Sequence, residues 1–126
     1  MNYLFVCTAA ALRSPTGRDL FLSHGLSAVA AGTYYSDRSM PEYLSTEKVM
    51  WADVIFCMEK PHFKAVAHKL NNAPLPKKYA PKTLHLLGIP DVFERNNPIL
   101  LNLFQPWLDL YLRIDPPHKT SASSVL

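Results

Sequence analysis

Three residues with complementary chemistry fall within one short stretch. Cys7 closes an apolar run, and Arg13 and Ser14 follow it across the segment Thr8-Ala9-Ala10-Ala11-Leu12. A thiolate is a strong nucleophile, a guanidinium grips two oxygens of a tetrahedral anion at once, and a hydroxyl can donate to sulfur. The spacing suits a loop between a strand and a helix, where successive backbone N–H groups point inward and form a nest for an anion. Because Thr8 to Leu12 are small or apolar, that grip comes from main-chain donors rather than from side chains. The chemistry this implies is attack by Cys7 on a bound phosphoryl group, with Arg13 holding its oxygens and Ser14 supporting the sulfur. A buried core thiol, an Ala-rich turn and a surface arginine would satisfy the same residues without any chemistry. The second cysteine, Cys57, lacks the pattern, with Phe63 standing where the arginine would fall.

Such a reaction needs an acid to protonate the leaving oxygen. Asp37, Asp53, Glu59, Asp91 and Glu94 are the carboxylates near expected strand ends. Asp53 begins a strand and so lies at the wrong end of a sheet. Asp91 fits best, because Ile89-Pro90 stiffens its loop and Phe93 can flank a substrate ring. Tyr34 and Tyr35 either wall a pocket or pack. His24, His62, His68, His85 and His118 show no zinc-ligand spacing and read as surface or core residues.

Around these residues the pattern alternates strand and helix. A buried strand is expected over Asn2 to Cys7, then Ser14 as N-cap and Pro15 as first residue of a helix stopped by Gly25. Further strands are expected ending near Gly32-Thr33, over 53–58 and after Thr83. Helices are expected after Ser45 or Thr46, from Pro61 to about Leu70, and from Pro98 to about Arg113 with Pro106 as a break or kink. The proline-rich stretch 71–82 reads as an extended loop and 115–126 as a weakly held tail, leaving 1–114 as one domain. The fold class is therefore α/β, three layers with a four-stranded parallel sheet flanked by helices. In such sheets ligands bind at the carboxyl ends of the strands, where Cys7, Met58 and the Asp91 loop all fall.

The 126 residues suit a single domain, and their 48% hydrophobic content allows a real core. No apolar stretch approaches the roughly 20 residues of a membrane span, no secretory leader is visible, and two cysteines fit a reducing cytoplasm better than a disulfide scaffold. A net charge of +3 favours anionic ligands but falls short of a nucleic-acid signature.

The stretches "YLFVCTAAALRSPTGRDLF", "AAGT", "WADVIFCMEKPHFKAV" and "LHLLGIPDVF", in this order, resemble the low-molecular-weight protein-tyrosine phosphatases, and most closely the short bacterial and phage-type members. The resemblance covers most of residues 1 to 95. It implies Cys7 as nucleophile, Arg13 as phosphate ligand, Ser14 as support of the thiolate and Asp91 as general acid. Residues Thr8, Ala9, Ala10, Ala11, Leu12, Arg13 and Ser14 would then bind the phosphoryl group, with Tyr34 and Phe93 near the substrate. It implies no cofactor and no metal, and a phosphorylated protein or small phosphorylated molecule as partner. Family loops usually carry Asn at the position of Ala10, and often Gly at Ala9 and a second cysteine at Leu12. The last substitution removes the disulfide that can shield the nucleophile. Arsenate reductases share this fold but need further thiols, and sugar-phosphotransferase IIB domains lack the Arg-Ser ending. A protein that binds a phosphorylated ligand in this loop without turnover is the alternative in a different class.

Overall fold

The computed structural model describes residues 1–72 and 82–117. Eight elements follow in the order β1 (Asn2–Cys7), α1 (Arg13–Ser23), β2 (Ser27–Gly32), α2 (Thr46–Trp51), β3 (Val54–Cys57), α3 (Lys60–Asn72), β4 (Thr83–Leu86) and α4 (Pro98–Ile114). The four strands form one parallel sheet in the order β2-β1-β3-β4. The three-layer α/β architecture expected from the alternation is thus the one observed.

β1 is central, and from Tyr3 to Cys7 every residue is buried. Its side chains alternate between two cores. Tyr3, Phe5 and Cys7 face Phe21 of α1 and Leu100, Phe104, Leu108 and Tyr111 of α4. Leu4 and Val6 face Val49 of α2 and Val66 of α3. The first core is aromatic: Phe5 stacks on Phe56 at 4.8 Å and meets Phe21 edge-on at 4.9 Å, pairs worth about 0.5–1.5 kcal/mol each beyond the area they bury. Gly17 lets α1 approach this cluster, since a Cβ there would stand 2.6 Å from the Phe5 ring.

The chain leaves β1 toward β2 and then crosses back to β3 on the other side of β1. With right-handed crossovers, that reversal puts α1 and α2 on opposite faces and opens a crevice at the carboxyl ends of β1 and β3.

Three local expectations are corrected. Ser14 is not the N-cap of α1: the helix begins at Arg13, and Leu12 occupies the cap position without a side-chain cap bond. Ser14 is thereby inside the first turn, where its hydroxyl turns toward sulfur. Pro106 does not break α4, because it and Asn102, whose carbonyl loses its partner, both lie on the exposed side. Asp115 is not loose, since the Tyr3 hydroxyl donates to its Oδ2 at 2.9 Å. Of the proline-rich stretch, 73–81 lie outside the described residues, as do 118–126. No helix among the described residues is long and apolar enough to cross a membrane.

Candidate active site

The loop between β1 and α1 folds back over its own first residue. The Ala10 N–H donates to Cys7 Sγ at 3.2 Å, and Ser14 Oγ lies 3.0 Å from the same sulfur. Ala10 reaches that position only with a φ of +54°, in the left-handed region that alanine disfavours. The loop is tied to the segment after β2, with Thr33 N–H donating to Cys7 O at 3.0 Å and Tyr34 N–H to Thr8 O at 2.7 Å. Gly32 permits this approach. A Cβ there would meet Thr8 O at 2.7 Å and the Ala9 carbonyl carbon at 2.9 Å, both backbone atoms that cannot step aside.

Arg13 is 1% exposed, and its guanidinium is held by acceptors from other parts of the chain. Nη1 donates to Glu59 Oε1 at 2.5 Å and to the Ile89 carbonyl at 2.8 Å. Nη2 approaches Thr8 Oγ1 at 3.4 Å, and Nε lies 3.7 Å from Asp91 Oδ1. Glu59 follows β3 and Ile89 follows β4, so the arginine is fixed from three strand ends at once. Such a guanidinium is oriented before any ligand arrives.

The Asp91 loop is anchored on both sides. Ile89 N–H donates to Met58 O at 2.8 Å. Beyond Asp91, Arg95 donates to Asp19 Oδ2 at 2.7 Å and Asn96 N–H to Thr16 Oγ1 at 2.9 Å, both acceptors on α1. Asp91 itself is 59% exposed.

His62 supports the loop from below. The Glu59 N–H donates to its Nδ1 at 2.9 Å, and its Nε2 lies 3.0 Å from Thr8 Oγ1. Burial and the nearby Arg13 guanidinium hold the imidazole below its usual range, against the opposing pull of Glu59 and Asp91. Cys57 has no such setting: wholly buried, its thiol is pushed up to about 12.

Of the residues singled out in the sequence, Cys7, Thr8, Ala9, Ala11, Leu12, Arg13 and Asp91 line one cavity of about 60 Å³. Ser14 is buried behind it and Ala10 contributes its N–H. Two are not brought in. Tyr34 is 73% exposed and stacks edge-on against Tyr35, because its backbone, not its ring, is what holds the loop. Phe93 packs against the aromatic core instead of the cavity.

The sequence also concealed three contributors. Glu59 entered only as a possible acid, His62 as a surface or core residue and Gly32 as a strand end. One signal was present: Glu59 and His62 sit three apart at the opening of α3, the spacing at which a side chain in the first turn reaches back to the N-cap amide.

No family model matches the chain, and no curated protein does. Its fold, however, matches solved structures over nearly its whole length. A mutant of the YwlE arginine phosphatase with a phosphorylated active-site serine superposes with a TM-score of 0.65 at 19% identity, covering 92% of this chain and 98% of that one. A low-molecular-weight protein tyrosine phosphatase from Bacillus subtilis gives a TM-score of 0.62 at 20% identity over 91% and 99%. A low-molecular-weight phosphotyrosine phosphatase from Vibrio cholerae O395 gives 0.58 at 15% identity over 91% and 99%.

Proposed function

From a fold shared with the low-molecular-weight protein tyrosine phosphatases, we propose that this chain is a cysteine-dependent phosphomonoester hydrolase. The observation that carries the reading is the convergence on one cavity of Cys7 Sγ, held between Ser14 Oγ and the Ala10 N–H, with Arg13 and Asp91. The neighbour with a phosphorylated active-site serine supports a covalent phospho-enzyme on this fold.

In the first step the Cys7 thiolate attacks phosphorus, an S–P bond forms, and the P–O bond to the leaving group breaks. Asp91 gives that oxygen its proton. Arg13 and the loop amides balance the charge on the phosphoryl oxygens, most strongly in the transition state. In the second step Asp91 takes a proton from water, which attacks phosphorus. The S–P bond then breaks with the electron pair returning to Cys7, and Ser14 eases that departure by donating to the sulfur.

Hydrolysis of para-nitrophenyl phosphate by the wild type and by Cys7→Ser tests this directly. The expected result is turnover by the wild type and loss of at least about a thousandfold in the variant. Equal rates would refute it. Binding of inorganic phosphate by a wild type without turnover would favour the non-hydrolytic binder instead.

A further inference from the structure

The hydrogen bonds of Thr8 leave one donor unspent. His62 is 2% exposed and its Nδ1 accepts the Glu59 N–H. A neutral imidazole carries one proton, so with Nδ1 accepting, that proton sits on Nε2. Nε2 therefore donates to Thr8 Oγ1 at 3.0 Å, and Arg13 Nη2 points at the same oxygen from 3.4 Å. Both lone pairs of the Thr8 hydroxyl thus face donors. Its own proton meets no acceptor among the described residues, and the side chain lines the cavity beside Cys7 and Arg13.

We propose that the Thr8 hydroxyl is a ligand of the bound phosphoryl group, donating its proton to a phosphoryl oxygen, and that His62 is the residue that positions it. The inference rests on reading the cavity as a phosphate site. His62 acts through Thr8: locked by the backbone of Glu59, it fixes which way the hydroxyl points. The same hydroxyl sits between His62 and Arg13, so one network aligns two ligands of the anion. Thr8 is the one side chain of the stretch from Thr8 to Leu12 with a hydrogen to donate; the four that follow carry only carbon.

The test is inorganic phosphate affinity by titration calorimetry, beside para-nitrophenyl phosphate kinetics, in Thr8→Val, Thr8→Ser, His62→Leu, His62→Gln and the Thr8→Val/His62→Leu pair. Thr8→Val keeps the shape of an exposed side chain and should fold as the wild type does. It is expected to weaken phosphate roughly ten- to hundredfold, the usual effect of losing a hydrogen bond to a charged group, whereas Thr8→Ser recovers most of the affinity. His62→Leu is expected to weaken binding by a similar factor alone and to add little on top of Thr8→Val. His62→Gln, which can accept from Glu59 and still donate to Thr8, is expected to recover it. Wild-type affinity in Thr8→Val, or an undiminished effect of His62→Leu in the Thr8→Val background, overturns the proposal. Affinity reads the network without turnover. A wild type that binds phosphate but does not hydrolyse the ester therefore refutes the phosphatase reading while these comparisons still decide on Thr8 and His62. A wild type that binds no phosphate overturns both.

Discussion

Glu59 Oε1 stands 2.5 Å from Arg13 Nη1. The carboxylate holds a cation that is itself 1% exposed, while Glu59 remains 41% exposed. A long flexible side chain is thereby turned into a fixed fork, with the Ile89 carbonyl as its second anchor. Fixing the donors in advance lowers the ordering cost at the moment of binding.

Glu59→Gln is expected to remove the charge while leaving the shape. Stability should fall by about 1–3 kcal/mol, toward the lower end because Glu59 is partly solvated. The value of kcat/KM for para-nitrophenyl phosphate should fall roughly ten- to hundredfold, as the guanidinium loses its alignment. Paired urea melts and steady-state kinetics check this. An unchanged kcat/KM would show that Ile89 alone suffices.

Ala10 carries the strain of the loop. Its φ of +54° costs an alanine about 1–2 kcal/mol relative to ordinary backbone. Ala10→Gly is expected to hold or raise the melting temperature. Ala10→Val, branched at Cβ, is expected to lose about 1–3 kcal/mol and to reduce phosphate affinity, because the N–H aimed at Cys7 Sγ must move. Equal stability of the two variants would mean that the loop relaxes out of this conformation.

Gly32→Ala tests the close approach of β2 to the loop. The new Cβ would press on the Thr8 carbonyl and the Ala9 backbone. A loss of about 1–3 kcal/mol is expected, together with a fall in activity larger than stability alone explains. Circular dichroism melts and para-nitrophenyl phosphate turnover, measured on one preparation, separate the two effects.

Stability is expected to fall on acidification through the histidine range. Burial holds both His62 and His85 below their ordinary value of 6.5. For His62 the Arg13 guanidinium adds to this, and the Glu59 and Asp91 carboxylates oppose it. The unfolded chain therefore binds more protons than the folded one below that value. Stability rises with pH across this window and is fully present above it. Each group contributes at most about 1.4 kcal/mol per pH unit. Urea melts from about pH 7.5 down to about pH 5.5 should show the decline, and His85→Phe should flatten it. A flat profile in the wild type would contradict the assignment.

The strand-helix alternation, the Cys7–Ser14 loop and the Asp91 loop were all legible in the sequence, and for one reason. Each depends on neighbours along the chain: apolar runs such as Tyr3 to Val6, a proline beside Asp91, an arginine and serine at set distances from Cys7. Local periodicity and steric restriction write themselves into order and spacing. Even so, the start of α1 was misread, because Ser14-Pro15 is a good cap by propensity. The loop instead draws Ser14 into the first turn, where its hydroxyl meets Cys7.

The remainder depends on contacts between residues far apart in sequence. Arg13 meets Glu59 and Ile89, Thr8 meets His62, and Gly32 meets the Thr8 carbonyl only because β1 lies between β2 and β3 with all three carboxyl ends together. Strand order is a tertiary property, and no spacing along the chain encodes it. The amino-acid order alone singled out Cys7 and the arginine six residues after it. Packing at the strand ends decided what orients them, turning Glu59 from a candidate acid into an anchor and His62 from an ordinary buried histidine into the support of Thr8.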